Sequence, residues 1–217
     1  MRIAMLGGTG DEGLGLAMRF AAAGETVIIG SRSAERAQAA AELVRAAVEG
    51  AGVTGAENAE AAASADLVFL AVPYSAQRPT LEPLRETLAG KLVVTVVVPL
   101  EFGKGGPRTV QVPEGSAAQE AQAILTESRV VSAFQNLSAH ELQRTGHTVE
   151  CDVVVCGSDR ESRQEVMRLA TLIPGVRGID GGPLVYSRYV EDLTALLLAL
   201  NRRYKTESGI RITGIEV

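Results

Sequence analysis

Apolar residues fall along this chain in short unbroken runs: Arg2 to Leu6, Thr26 to Ile29, Asp66 to Val72, Leu92 to Val98, Val130 to Phe134 and Val153 to Val155. Runs of this length without polar alternation suit strands covered on both faces. Between them lie Leu14 to Ala23, Ala34 to Val48, Ala117 to Leu125 and Arg160 to Leu172, rich in the alanine, glutamate, arginine and leucine that favour helix. Strand and helix therefore alternate, and the pattern predicts a doubly wound α/β fold with a parallel sheet and helices on both faces. Local punctuation agrees. Gly24 closes the first helix, Ser116 with Gln119 reads as a capping box, and Gly103 to Pro107 reads as a loop.

Beyond Asp180-Gly181-Gly182-Pro183 the texture changes to one long helical stretch, Leu184 to Tyr204, with Leu193, Leu196, Leu197 and Leu200 on an apolar stripe. This stretch is expected to cap the sheet or form an interface. The tail from Gly209 to Gly214 is expected to form a short edge strand or an ordered arm. The chain thus divides into a nucleotide-binding-type domain, residues 1–180, and a small C-terminal helical extension, residues 181–217.

Composition narrows the function classes. With 46% hydrophobic residues the chain can bury a sizeable core, and a net charge of -5 argues against a general nucleic-acid surface while leaving room for a local cationic pocket. The longest apolar runs fall far short of the roughly 20 residues of a spanning helix, and no secretory-type segment follows Arg2, so a cytoplasmic location without membrane partners is the default expectation. The two cysteines, Cys151 and Cys156, would point to opposite faces of a strand and are expected to be buried thiols rather than a disulfide or metal ligands.

The chemistry begins at Gly7-Gly8-Thr9-Gly10-Asp11-Glu12-Gly13. Gly8, Gly10 and Gly13 match G-x-G-x-x-G, and the motif stands between a strand and a helix in a βαβ unit that returns to a strand at Thr26. Glycines there permit positive φ and let backbone amides approach a pyrophosphate, whose charge the helix N-terminus favours. This makes the domain Rossmann-type. The second strand ends in Gly30-Ser31-Arg32, where an NAD site usually has an acidic residue for the ribose hydroxyls. A hydroxyl and a guanidinium instead suit a 2′-phosphate, with Arg36 one helical turn on, so NADP is the expected cofactor. The bland alternative is that Arg32 and Arg36 form a solvated helix face, with or without pairing to Glu35.

Two further strand ends, Val72-Pro73-Tyr74 and Val98-Pro99-Leu100, offer apolar walls where a doubly wound sheet places its ligand. Ordinary strand termination by proline is an equal reading. Neither His140 nor His147 has partners in a triad or metal pattern, both are expected at the surface, and no catalytic acid or base is identified.

The chain resembles the F420-dependent NADP oxidoreductases over nearly its whole length. The resemblance rests on the glycine loop with Gly15, Gly30-Ser31-Arg32, Val97-Val98-Pro99, Val131 to Asn136, Cys151-Asp152-Val153, Val155-Cys156-Gly157, Asp180 to Leu184, Val190 to Thr194 and Gly209 to Gly214. It implies reversible hydride transfer between C5 of a reduced 5-deazaflavin, coenzyme F420, and C4 of the NADP nicotinamide, with the protein acting by orientation and desolvation. By matching positions, Thr9, Gly10, Asp11 and Glu12 would meet the pyrophosphate, and Ser31, Arg32 and Arg36 the 2′-phosphate. Pro73, Tyr74, Val98 and Ala133 would lie on the nicotinamide side. The deazaflavin would lie near Val98, Gln135, Asn136, Leu137, Leu197, Ser208 and Gly209, and the chain would be a homodimer.

Some relatives carry histidine, a hydrophobic residue and proline along the segment matching Gln135 to Ser138, and tryptophan at the position of Tyr74. Asp11 and Glu12 are unusual beside phosphates, and their carboxylates are expected to turn to solvent or cap the helix. The rival readings are a reductase of another acceptor, such as a flavin, an imine or a metal, and a non-enzymatic NADP sensor.

Overall fold

The computed structural model describes residues 1–216. Along the chain run β1 (Arg2–Leu6), α1 (Asp11–Ala22), β2 (Thr26–Ser31), α2 (Ala34–Ala47), β3 (Val53–Glu57), α3 (Asn58–Ser64), β4 (Leu67–Leu70), α4 (Tyr74–Leu81) and β5 (Leu92–Thr95). There follow β6 (Leu100–Gly103), β7 (Gly106–Thr109), α5 (Ala117–Ile124), β8 (Arg129–Ser132), α6 (Ala139–Gln143), β9 (Cys151–Gly157), α7 (Arg160–Thr171), β10 (Val176–Gly182) and α8 (Ser187–Tyr204). The main sheet has the order β10-β9-β8-β5-β4-β1-β2-β3. The direction of winding reverses between β1 and β4, which is where a doubly wound sheet opens a crevice at the carboxyl ends of its strands.

Strand residues alternate between two cores. On β1, Ile3 and Met5 belong to the core on the sheet face covered by α1, α2 and α7, while Ala4 and Leu6 belong to the core on the face covered by α3 and α5, so both faces are covered and the unbroken apolar runs are explained. Under the crevice, Phe20, Phe69 and Phe134 form an aromatic cluster with ring centroids 5.1 to 6.1 Å apart. Each such pair adds about 0.5–1.5 kcal/mol beyond the area it buries.

Three features differ from the pattern reading. The sheet is not wholly parallel: β8 and β9 pair antiparallel, Ser132 opposite Cys156, and β10 follows β9 in the reversed direction. The connection from β8 to β9 contains only the short α6, which does not return the chain to the opposite end of the sheet as a parallel crossover must. Second, β3, β10, α3, α4 and α6 lack a strong apolar run or a long helical period. In β3 the tight approach of α2 takes the place of side-chain burial, since a Cβ on Gly55 would lie 2.3 Å from the Ala37 carbonyl carbon. Third, Gly103 to Pro107 is the tip and flank of a β6–β7 hairpin.

Gly24, at φ +86°, does end the first helix. Ser116 caps α5 by accepting the Gln119 N–H at 3.1 Å, but the Gln119 side chain meets the Ser116 hydroxyl rather than its backbone N–H, so the box is not reciprocal. The long C-terminal stretch begins as a 3-10 turn, Leu184–Tyr186, before α8. Of its four stripe leucines only Leu197 is fully buried, and Leu196 is exposed. The tail forms an ordered arm. Its Ile210 carbonyl accepts the Asp152 N–H at 2.7 Å and its Ile212 N–H donates to the Asp152 carboxylate at 2.7 Å.

Candidate active site

A cleft of about 640 Å³ opens at the switch point and runs from the start of α1 to α8 and the arm. Its first end is the glycine loop. Gly7 sits at φ +73°, and a Cβ there would lie 2.5 Å from Val72 Cγ1. Gly13 packs on the loop itself, its hypothetical Cβ 2.8 Å from the Gly8 Cα, whereas a Cβ on Gly10 would meet only the Gly7 carbonyl oxygen at 3.7 Å. Two glycines thus close the turn and the third leaves it open to a ligand. The N–H groups of Asp11, Glu12 and Gly13 have no acceptor among the described residues, as expected for a free helix N-terminus that can take an anion.

The Gly8 N–H donates to the Gly30 carbonyl at 3.1 Å, which brings the end of β2 beside the loop. Ser31 is buried and its hydroxyl oxygen accepts the Ser33 N–H, at 3.4 Å. Arg32 and Arg36 are exposed, and neither has an ion-pair partner among the described residues. Glu35 is bonded to the Ser33 hydroxyl rather than to either arginine, so the paired-arginine alternative does not hold.

Further along, Val72, Pro73, Val96, Val97 and Val98 form an apolar wall. Opposite stand Gln135, Asn136 and Leu137, presented by a turn in which Phe134 adopts φ +74°. A bulky residue in that region carries strain of order 1–3 kcal/mol, here held by the aromatic cluster and by the Leu137 N–H donating to the Phe134 carbonyl at 3.1 Å. Thr194 of α8 donates to the Gln135 carbonyl at 3.1 Å, and Leu197, Leu198, Asn201 and Ser208 complete the far wall. Within this mostly apolar cleft, buried Oε1 of Glu12, Oε1 of Gln135 and both side-chain polar atoms of Asn136 lack a hydrogen-bond partner. Such groups are costly to leave unpaired, and all three residues line this one cleft.

The chain matches a family model described as NADP oxidoreductase, coenzyme F420-dependent, over residues 2–99. The F420-dependent NADP reductase of Methanocaldococcus jannaschii is 44% identical over the whole of both chains. The chain belongs to the F420-dependent NADP reductase family. The enzyme of that name from Methanothermobacter thermautotrophicus is 45% identical over 99% of this chain and 96% of its own. A crystal structure of a putative F420-dependent NADP reductase from Arthrobacter sp. FB24 superposes with a TM-score of 0.84 at 28% identity, covering 98% of this chain and 99% of that one.

Among F420-dependent NADP reductase positions expected from sequence, the structure brings Gly10, Asp11, Glu12, Pro73, Val98, Gln135, Asn136, Leu137, Leu197 and Ser208 to one cleft and sets others elsewhere. Tyr74 turns away. It shares a helical face with Gln77 and Leu81, and burial together with the negative charge of nearby Glu120 pushes its phenol up to about 12. Ala133 is fully buried, its N–H donating to the Thr95 carbonyl, and is core rather than wall. Pro99 is buried behind the wall, where its carbonyl accepts the Val110 N–H at 2.8 Å. Gly209 lies in a smaller neighbouring cavity, against Cys151. Thr9 is half-buried at the loop and does not line the cleft.

Glu12 corrects a further expectation. Its carboxyl group neither caps α1 nor turns wholly to solvent; it is tucked into the cleft wall, and burial raises its pKa to about 8. His140 is exposed at the rim with Nδ1 3.2 Å from the Glu207 carboxylate, and His147 is exposed beside Arg144, so both are surface residues. Both cysteine thiols are buried.

The pattern reading also missed Arg19. It is 2% exposed and donates to the carbonyls of Glu141, Leu142, Arg144, Thr145 and His147, fastening the α6 loop onto α1. One arginine in an amphipathic helix carries no local sign of this; only the carbonyls that converge on it from a distant loop identify it.

Proposed function

We propose that this chain catalyses reversible hydride transfer between reduced coenzyme F420 and NADP. The observation that carries the reading is the single cleft running from the open helix N-terminus to α8 and the arm, apolar along its sides and furnished with unpaired polar atoms. When bound, the deazaflavin and the nicotinamide supply the redox chemistry themselves, a hydride and its electron pair passing from one ring to the other. The protein's work is to position and to exclude water.

In this reading the free amides of Asp11, Glu12 and Gly13 hold the pyrophosphate where Gly10 leaves the loop open, with Thr9 flanking it. Ser31, Arg32 and Arg36 hold the 2′-phosphate, Arg32 from the strand end and Arg36 from the first turn of α2. Pro73 and Val98 bear on the nicotinamide side, while Gln135, Asn136, Leu137, Leu197 and Ser208 bear on the deazaflavin side. Residues 181–217 act as the extension that closes this second half. The absence of a triad needs no replacement, because hydride transfer between two aligned rings forms no covalent bond to protein.

A homodimer accompanies this reading. Val185, Tyr186, Tyr189 and Leu196 are exposed along the 3-10 turn and α8, an apolar surface suited to a second copy. No described helix is long and apolar enough to cross a membrane, which is compatible with work in the cytoplasm. The test is absorbance at the deazaflavin band with oxidised F420 and NADPH, NADH serving as the control. Rapid bleaching with NADPH and slow bleaching with NADH is expected. An unchanged band despite NADPH binding would move the reading to another acceptor or to a sensor.

A further inference from the structure

The loop-helix junction that accepts the dinucleotide also holds a carboxyl group with no evident structural duty. Glu12 is the second residue of α1, lines the cleft together with Ala71, Val72 and Pro73, and has one oxygen shut off from water and from every hydrogen-bond donor. We propose that Glu12 is a proton site linked to the charge of the nicotinamide: it keeps its proton beside the neutral, reduced ring and gives it up beside the positive, oxidised ring.

This rests on the cofactor placement proposed above. In both redox states the dinucleotide brings the same pyrophosphate and the same 2′-phosphate, so their influence on Glu12 is common to NADP+ and NADPH. Only the ring charge differs. A carboxylate in a poorly hydrated wall is stabilised by a nearby cation and destabilised without one, because no solvent or donor compensates it. The buried position makes the group neutral in the absence of ligand, in keeping with the rise of its pKa to about 8.

The other charged and titratable groups around the cleft are few. Asp11 adjoins it on α1 and is exposed; His140, on α6, is paired with Glu207 of the segment after α8; Arg202 lines the wall from α8. On the α6 side, Glu141 is paired with Arg144 at 2.8 Å and Arg19 is occupied by carbonyls. None of them is hydrogen-bonded to the Glu12 carboxyl oxygen that is buried. Linkage then requires that NADP+ binding release a proton that NADPH binding does not, and that affinity for NADP+ relative to NADPH rise with pH.

The test is titration calorimetry of the full chain with NADP+ and with NADPH, in two buffers of different ionisation enthalpy, from pH 6.5 to 9. Expected is a difference in proton release between the two nucleotides approaching one per site below pH 8. The ratio of their dissociation constants should then move in favour of NADP+ by up to about tenfold per pH unit, levelling off once Glu12 is ionised in the NADPH complex as well. Glu12→Gln should abolish both the difference and the slope. Glu12→Leu, which restores an apolar wall, serves as a second variant should the glutamine form fold poorly. Equal proton release for the two nucleotides, or a slope that survives in either variant, would overturn the inference while leaving the cofactor assignment intact. Failure of both nucleotides to bind would instead remove the assignment on which it stands, and the inference with it.

Discussion

Asp152 offers a sharp test of how the arm is held. Its carboxylate is fully buried and accepts from Arg177 Nε and Nη2 at 2.7 and 2.6 Å, from Arg211 Nη1 at 2.9 Å and from the Ile212 N–H at 2.7 Å. Asp152→Asn keeps the volume, removes the charge and sets an NH2 group against guanidinium donors. Breaking a buried ion pair costs about 3–5 kcal/mol, but the arginines left behind are 34% and 38% exposed and can regain water, which lowers the expected cost to about 2–3 kcal/mol. For a chain of this size each kcal/mol shifts Tm by about 2–4 °C, so a fall of roughly 5–10 °C is expected in scanning calorimetry. Limited trypsin digestion should also cut the variant earlier within residues 205–211. The wild-type carboxyl is held well below its usual range by the Arg177 guanidinium and the surrounding donors. With the folded value depressed, its contribution is complete above about pH 4, the unfolded value, and is lost as pH falls through the folded one. The aspartate and asparagine proteins should therefore converge in stability toward low pH. A Tm within 1 °C of wild type at neutral pH with an unchanged digestion pattern would refute this account of the clamp.

Three other outcomes are expected. Arg32→Ala should weaken NADP binding by about 1–3 kcal/mol and barely affect NAD, since one charge-assisted bond to the extra phosphate is lost; equal weakening by calorimetry would remove the assignment. Arg19→Met should leave five carbonyls short of a donor and lower stability by about 3 kcal/mol or more, read as a drop in the urea midpoint with an accompanying loss of amide protection in residues 141–147. His140→Ala should leave turnover within a few-fold of wild type, and a ~100-fold loss would expose a missed proton carrier.

Much of the glycine-loop half of the cleft was legible because its signals are local. A strand, three spaced glycines and a helix lie within a few residues, and Gly30-Ser31-Arg32 follows at the distance one βαβ return imposes. The second half depends on encounters between distant segments. Nothing around Phe134 in the sequence announces its positive φ, which is imposed by Phe20 and Phe69 packing against it. The direction of β9 is equally hidden, since an apolar strand reads alike either way along the sheet. Tyr74 shows a different limit: its strand-end position suggested the cleft, whereas the spacing of Tyr74, Gln77 and Leu81 was the available sign that it faces α5. The sequence suggests that the Glu12 carboxylate turns to solvent or caps the helix, and only burial discloses that its side chain turns inward.

The reversal between β8 and β9 divides the cleft into two pieces of different ancestry in construction. On the glycine-loop side the walls are carboxyl ends of parallel strands, fixed in height by one continuous register. Past the seam, the ends of β8 and β9 lie side by side, and the arm docks on the start of β9. Residues 144–147 are fastened to α1 through Arg19, so a change of length there reaches the first half, whereas the arm bonds to Asp152 and Gly175 and can change in length without disturbing a hydrogen bond of the glycine loop, which leaves the C-terminal wall free to vary while the loop stays fixed.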